Sequence, residues 1–392
     1  MISECVVVGA GPAGLATSRA LAERGVDHVV LERDEVGHSW RAQRWDSFLL
    51  NTPGWMNGVL GRLERNSFAT APEVVAALDG LAADLPVRQR TPVHSLERNG
   101  DGYVLRTPDG DLRTSTVVLA TGNQNLPKVP TVAGPVAECV QQWHAADFRN
   151  AAQLPAGAML VVGSAQSGCQ IAEDLVTAGR EVYLATSRVG RFPWRYRGRA
   201  TVEWLVETGF FDQRPQDLED PAMTRAAQPL VASGGRSLSL QLLARSGVAL
   251  LGRIVSVAGH TVTFDGSAAA NVAYGDQFGS RVCTMIDTFI RQTSADALPP
   301  GSDEAGGLVD LEPRTVLDLD AAGVASIIWC TGFTGDFSWV HLPVLDRAGQ
   351  PKHDGGTTTE PGCSSWDFPG SPAAAPASSS DSPATPTRSL GQ

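Results

Sequence analysis

The sequence predicts an α/β fold built from two parallel-sheet units, on three observations. A short apolar run enters a glycine-rich turn at Val6–Ala16, "VVVGAGPAGLA". The same strand–turn–helix order returns at 161–169, "VVGSAQSGC". Two further apolar runs end in Thr-Gly, "TVVLATG" at 116–122 and "ASIIWCTGF" at 325–333. Continuous apolar runs of this length are what central parallel strands, buried on both faces, require.

In the first unit, "ECVVV" is the strand, "GAGPAG" the turn and "LATSRALAERG" a helix stopped by Gly25. "DHVVLERD" is the next strand. Each turn residue has a task. Gly9 allows the tight bend, Gly11 lets a pyrophosphate approach the backbone, and Gly14 lets helix and strand pack closely. Pro12 and Ala13 start the helix, whose N-terminus stabilises phosphate charge. Glu32 lies 18 residues after Gly14, at the end of the following strand, where a carboxylate accepts hydrogen bonds from a ribose diol. Strand, turn, helix and acid together point to a bound dinucleotide.

The second unit has "AMLVV", the turn Gly163-Ser164-Ala165-Gln166-Ser167-Gly168, a helix ending near Gly179, and the strand "REVYLATSR". Ala165 adds one methyl group at the middle glycine position. Gln166 and Ser167 can donate to phosphate oxygens. Eighteen residues after Gly168 stands Thr186, followed by Ser187 and Arg188. Hydroxyls and a guanidinium in place of an acid suit a 2′-phosphate, hence NADPH over NADH. The arginines of "RVGRFPWRYRGR" (Arg188, Arg191, Arg195, Arg197, Arg199) are expected to reinforce this, a solvated surface loop being the alternative. Helices are expected at 218–245 and 280–293.

The chain of 392 residues carries a net charge of −11. Nucleic acid and anionic membrane surfaces are therefore poor partners. No apolar run approaches the roughly 18 residues that span a bilayer, and the opening residues read as a buried strand and not as a signal peptide. None of the six cysteines is spaced as a CxxC pair, so neither disulfide exchange nor a zinc ribbon is expected. Packed thiols fit a cytoplasmic setting. Cys169, at a helix N-terminus, is read as packing.

Several segments together resemble the class B flavoprotein monooxygenases, which include the flavin-containing and Baeyer–Villiger monooxygenases. Within them the chain is similar to a bacterial group named for potassium transport. "VGHSWRAQRWDSFLLNTPGWMN" (36–57) looks like the family segment that passes the flavin ring, with Trp40 and Arg41 in it. Asn51 falls where the family places an asparagine at the flavin's reactive edge. "HAADF" (144–148) matches the second half of the fingerprint F-x-G-x-x-x-H-x-x-x-[F/Y], and Glu138 and Val140 replace its Phe and Gly. "ATG" (Ala120, Thr121, Gly122) and "CTGF" (Cys330, Thr331, Gly332, Phe333) match the two linkers between domains.

The resemblance implies two Rossmann-like dinucleotide-binding domains, the NADPH domain inserted in a discontinuous FAD domain. The expected division is 1–150 and 319–362 for FAD and 151–318 for NADPH, with a helical insertion. It implies reduction of FAD by NADPH and transfer of one oxygen atom from a peroxyflavin to a small substrate, with Asn51 catalytic. Arg41 and Arg44 are candidates for nicotinamide or phosphate, surface arginine being the alternative. The partners implied are molecular oxygen and a small molecule, with a homodimer left open. An NADPH oxidase or diaphorase, a transport-accessory flavoprotein and an inactive relative are the competing readings.

Relatives follow the "T-x-x-P-G" segment with an apolar strand, a glycine turn and a closing helix that forms part of the flavin site. Here Gly362 is followed by a stretch in which 18 of 30 residues are Ser, Pro or Ala. Such a composition offsets little ordering entropy, so 363–392 is expected to be a disordered tail. A shifted reading frame would give so abrupt a break.

Overall fold

The computed structural model describes residues 2–61, 63–131, 134–213, 229–230, 233–307 and 309–365. Its centre is two parallel sheets. In the first, the strand Ile2–Val8 lies between His28–Leu31 and Gly110–Leu119, so that Val6 sits between Val29 and Val117. Val87–Arg88 extends one side. The strand Cys363–Ser365 and the short strands His353–Asp354 and Thr357–Thr358 extend the other. The hairpin Ser95–Asn99/Gly102–Thr107 pairs antiparallel with the start of Gly110–Leu119. Val6, Val7, Val30 and Val117 are fully buried, as the unbroken valine runs require.

The second sheet has five parallel strands in the order Ala249–Leu251, Val182–Ala185, Ala158–Val162, Val324–Trp329, Gln141–His144. Leu160 lies between Tyr183 and Ile327. This corrects the expected boundaries. Gln141–His144 was assigned to the first unit at 1–150, and Val324–Trp329 to its return at 319–362, yet both pair in the second sheet. The reason is that each glycine turn needs its own Thr-Gly strand beneath it. A β-carbon on Gly9 would lie 2.4 Å from the Ala120 carbonyl oxygen, and one on Gly163 2.5 Å from that of Cys330. The chain passes between the sheets at a two-stranded ribbon, Leu126–Pro127 with Phe333–Thr334.

The two turns repeat each other closely. Gly9 and Gly163 both have φ +107°. The residues before the helices, Gly11 (φ −82°) and Ala165 (φ −78°), share one extended conformation. The methyl of Ala165 therefore brings no backbone strain. The helices Pro12–Glu23 and Gln166–Thr177 both give way to a left-handed glycine, Gly25 and Gly179.

Two other expectations change. Of the helix expected at 218–245, Leu240–Arg245 is helical, 229–230 and 233–239 are not, and 218–228 and 231–232 lie outside the described residues. The helix expected at 280–293 is much longer, Ala268–Thr293. Gly275 and Gly279 lower its intrinsic propensity but admit a close crossing: a β-carbon on Gly279 would meet the Arg191 carbonyl oxygen at 2.9 Å. The tail also begins later than expected. Cys363–Ser365 pair with Val117–Leu119, and Cys363 and Ser365 are buried. The rest of the expected tail, 366–392, lies outside the described residues. Among those residues no helix is long and apolar enough to cross a membrane.

Candidate functional site

The first turn has the form a pyrophosphate needs. A β-carbon on Gly14 would fall 1.8 Å from the Gly9 carbonyl oxygen, so helix and strand touch through bare backbone. A β-carbon on Gly11 would meet nothing within 4 Å. The open space lies at the helix N-terminus, where unpaired N–H groups favour an anion. Glu32 braces the turn, its two carboxylate oxygens accepting from Ala10 N–H (2.7 Å) and Asp34 N–H (3.0 Å). Each keeps a lone pair for a ribose diol. Thr121, beside Gly122, has a buried hydroxyl without a partner among the described residues. The residues present thus fit the phosphate and ribose end of a dinucleotide.

The second turn repeats this, with a β-carbon on Gly168 placed 1.8 Å from the Gly163 carbonyl oxygen. Ser164 is fully buried and serves the turn itself, accepting from Ser187 N–H at 2.9 Å. Ser187 and the exposed Arg188 follow. Thr186 does not offer its hydroxyl outward: it donates to the Leu251 carbonyl (2.7 Å) and accepts from Asn271 (2.9 Å).

The arginine cluster disperses. Arg191 is buried between Asp276 and Asp303. Arg197 pairs with Asp287, and Arg199 with Glu203 and Glu207. Arg195 donates to the Gly198 carbonyl. Of the five, only Arg188 lacks a partner among the described residues; acids face Arg191, Arg197 and Arg199, and a backbone carbonyl meets Arg195. Arg41 is likewise committed, donating to both oxygens of Asp79 (2.7 and 2.6 Å) and to the Val36 carbonyl. The packing of the helix Ala71–Ala82 against His38–Ala42 brings Asp79 to it.

A cavity of about 960 Å³ lies between the sheets. It gathers Trp40, Asn51, Gly163, Ser164, Gln166, Ser167, Ser187, Thr331 and Gly332 from the expected set. Gly9, Gly11, Pro12, Ala13, Gly14, Glu32, Arg41, Thr121, Gly122, Gly168 and Arg188 are not in its lining. Asn51 has no side-chain hydrogen bond among the described residues. The Thr331 hydroxyl donates to the Lys128 carbonyl, so it ties down the linker. The segment carrying Trp40, Trp45 and Phe48 joins the two cores: Phe48 packs against both, and Asp46 N–H donates to the Arg149 carbonyl.

Sequence reasoning missed Gln43, Asn123, Gln124, Lys128 and Arg253, which also line the cavity. The pair Asn123-Gln124 directly after "ATG" was the readable signal, since the end of a parallel strand is where such sites form. Arg253 reaches the site through a hairpin outside the turn's own βαβ unit, which no local pattern announces. Arg44 stands in the wall with its guanidinium 4.7 Å from the Trp40 ring centroid. Burial pushes its pKa down to about 10.

His144 closes the strand Gln141–His144. Ala146 N–H donates to Nδ1 (3.2 Å), so the ring proton is on Nε2, which donates to the Gly332 carbonyl at 3.0 Å. Burial holds its pKa below the ordinary 6.5. The folded state therefore prefers the neutral ring. Its stabilisation is complete above pH 6.5 and is lost as pH falls through the depressed folded value. His144→Gln is expected to flatten the fall in urea midpoint between about pH 7.5 and about pH 5. An unchanged fall would place the titration elsewhere.

All six cysteines are free thiols. Burial raises the pKa of Cys169 strongly and pushes Cys330 up to about 12, so both are inert packing thiols.

Comparison with known proteins agrees with this geometry. The pyridine nucleotide-disulphide oxidoreductase family matches residues 6–207. An uncharacterized oxidoreductase, CzcO-like, of Geobacillus kaustophilus is 26% identical over 92% of this chain and 89% of its own. Indole-3-pyruvate monooxygenase YUCCA1 of Oryza sativa is 31% identical over 44% of this chain and 45% of its own length. A solved flavin-containing monooxygenase from Stenotrophomonas maltophilia shares the fold, with a TM-score of 0.61 at 18% identity over 93% of this chain and 89% of its own. With one nucleotide turn in each sheet, the chain belongs to the pyridine nucleotide-disulphide oxidoreductase family.

Proposed function

We propose that the protein is an NADPH-dependent flavin monooxygenase that uses FAD to transfer one atom of dioxygen to a small organic substrate. The observation that carries this is two nucleotide turns of one geometry, one in each sheet, with a cavity between the sheets that presents Asn51. FAD, when bound, supplies the hydride acceptor and the activation of oxygen. The chain's residues do the rest. The turn Gly9–Gly14 and its helix hold the FAD pyrophosphate, and Glu32 fixes that turn from behind while meeting the ribose. Gly163–Gly168, with Gln166 and Ser167, hold the second nucleotide. Ser187, Arg188 and Arg253 would meet its 2′-phosphate. Trp40, Trp45, Phe48 and Phe333 keep water from the uncommitted amide of Asn51. His144 fixes the linker at Gly332 with its Nε2 proton.

Arg188→Ala is expected to weaken NADPH binding about tenfold, the loss of one charge-assisted contact, and to leave NADH within about twofold. Equal losses would remove the 2′-phosphate assignment. One specific observation favours a second reading, an NADPH oxidase: Glu138 and Val140 stand at fingerprint positions.

The test is anaerobic reduction of the FAD-loaded full chain by NADPH, then mixing with oxygen. Slow reoxidation with less peroxide than NADPH consumed supports the monooxygenase. Immediate reoxidation with equimolar peroxide moves the reading to the oxidase. A chain that takes up no FAD overturns both.

A further inference from the structure

Among the described residues, three cations and no carboxylate line the cavity, although the chain as a whole carries −11. Two of the three have plain settings. Arg253 lies 3.4 Å from Asp265, and Lys128 is exposed. Arg44 is half-buried and has no carboxylate within ion-pairing distance among the described residues. Its guanidinium lies over the rings of Trp40 (4.7 Å) and Phe48 (5.5 Å). It donates to the Gln43 carbonyl (3.0 Å) and the Gln124 amide oxygen (2.9 Å), both neutral.

A desolvated charge with neutral partners alone is costly, and stacking on two rings offsets only part of that. Of the five N–H donors of the guanidinium, two are used among the described residues. The remaining donors can meet a carboxylate in a two-pronged contact. The position also matters. Arg44 belongs to the same first-unit segment as Asn51, whereas the phosphates of the second nucleotide have donors of their own at Gly163–Ser167, Ser187 and Arg253.

We infer that Arg44 seats the carboxylate of the substrate, and that the substrate class is a small organic acid with a flat apolar body lying against Trp40, Phe48 and Phe333. This rests on the cavity being where oxygen transfer occurs. It predicts selection by charge: an acid enters and its neutral amide does not, because the amide leaves the guanidinium uncompensated. The only other source of the same chemistry is a phosphate group of NADPH.

The probes are phenylacetate and its neutral counterpart phenylacetamide, titrated against the tryptophan fluorescence of the full chain, with NADPH titrated separately. Wild-type protein is expected to bind phenylacetate at least about tenfold more tightly than phenylacetamide. Arg44→Gln removes that difference and leaves NADPH binding unchanged. Arg44→Lys, which keeps the charge without the fork or the stacking, recovers part of it. Thermal melting of each variant separates lost binding from lost fold, and the lysine variant carries the test where the glutamine variant fails to fold.

Loss of NADPH binding in Arg44→Gln with phenylacetate unaffected would overturn the inference in favour of a nucleotide phosphate. Absence of acid-over-amide preference in the wild type would overturn it outright. Failure of the monooxygenase reading would show differently, as wild-type protein whose flavin NADPH does not reduce while the phenylacetate titration stands.

Discussion

Alanine at Gly14 is expected to yield protein that no longer retains flavin, and alanine at Gly168 protein that retains flavin but is not reduced by NADPH. In each case the new methyl would sit 1.8 Å from a backbone carbonyl oxygen, of Gly9 or of Gly163. No side-chain rearrangement relieves a clash with backbone, so the helix must move off its strand and carry the phosphate-binding N–H groups with it. A loss of about a hundredfold in the affinity of the nucleotide concerned is expected, about 2.7 kcal/mol. Gly11→Ala is the control. Its β-carbon meets nothing within 4 Å, its φ is one that alanine adopts, and Ala165 already occupies the equivalent place in the second turn. Flavin absorbance after gel filtration and anaerobic reduction by NADPH separate the variants. Retention of flavin by Gly14→Ala at the wild-type level would refute the assignment of the first turn.

The second large effect is on stability. Arg191 leaves only 7% of its side chain exposed and holds Asp276 on one side (Nε, 2.8 Å) and Asp303 on the other (Nη1, 2.7 Å). Gln241 also donates to Asp276. The guanidinium thus ties the loop after the strand Val182–Ala185 to the helix Ala268–Thr293 and to the segment around 303. Arg191→Met is expected to destabilise the protein by about 3 kcal/mol. That is the low end for a broken buried pair, because the two aspartates stay partly in water, at 39% and 34% exposure. Urea unfolding measures it, and a loss below about 1 kcal/mol would show that the network contributes little.

The elements legible in the sequence were those whose signal is local. Both glycine turns, their helices and the valine-rich strands can be read from short windows, since burial on both faces and close backbone contact each demand a residue type at a fixed spacing. What failed was allocation. Val324–Trp329 looked like a return to the first unit because it echoes "VVLATG". The echo was real, but it marks the equivalent strand of the second sheet, and strand partnership is a long-range property. The site shows the same division. Asn51 and Trp40 came from the likeness of their segment to a family's. The fates of Arg191, Arg197 and Arg199 depended on acids about 85, 90 and fewer than ten residues away along the chain, on helices whose orientation the sequence does not announce. The helix Ala268–Thr293 begins well before the expected 280, and the lack of side chains at Gly275 and Gly279 is what allows its close crossing.

The pairing of Cys363–Ser365 with Val117–Leu119 sets an order of events during synthesis. All five strands of the second sheet lie between residues 141 and 329, so that sheet has its full complement while the chain is still emerging. The first sheet waits. Until residue 365 is made, Val117–Leu119 keeps an open hydrogen-bonding edge, and the Tyr103 hydroxyl lacks its acceptor, the Pro361 carbonyl. A nascent chain paused before that point carries a finished second sheet beside a first one open to pairing with strangers. Ribosomal pausing in that stretch is therefore expected to expose this fold to aggregation.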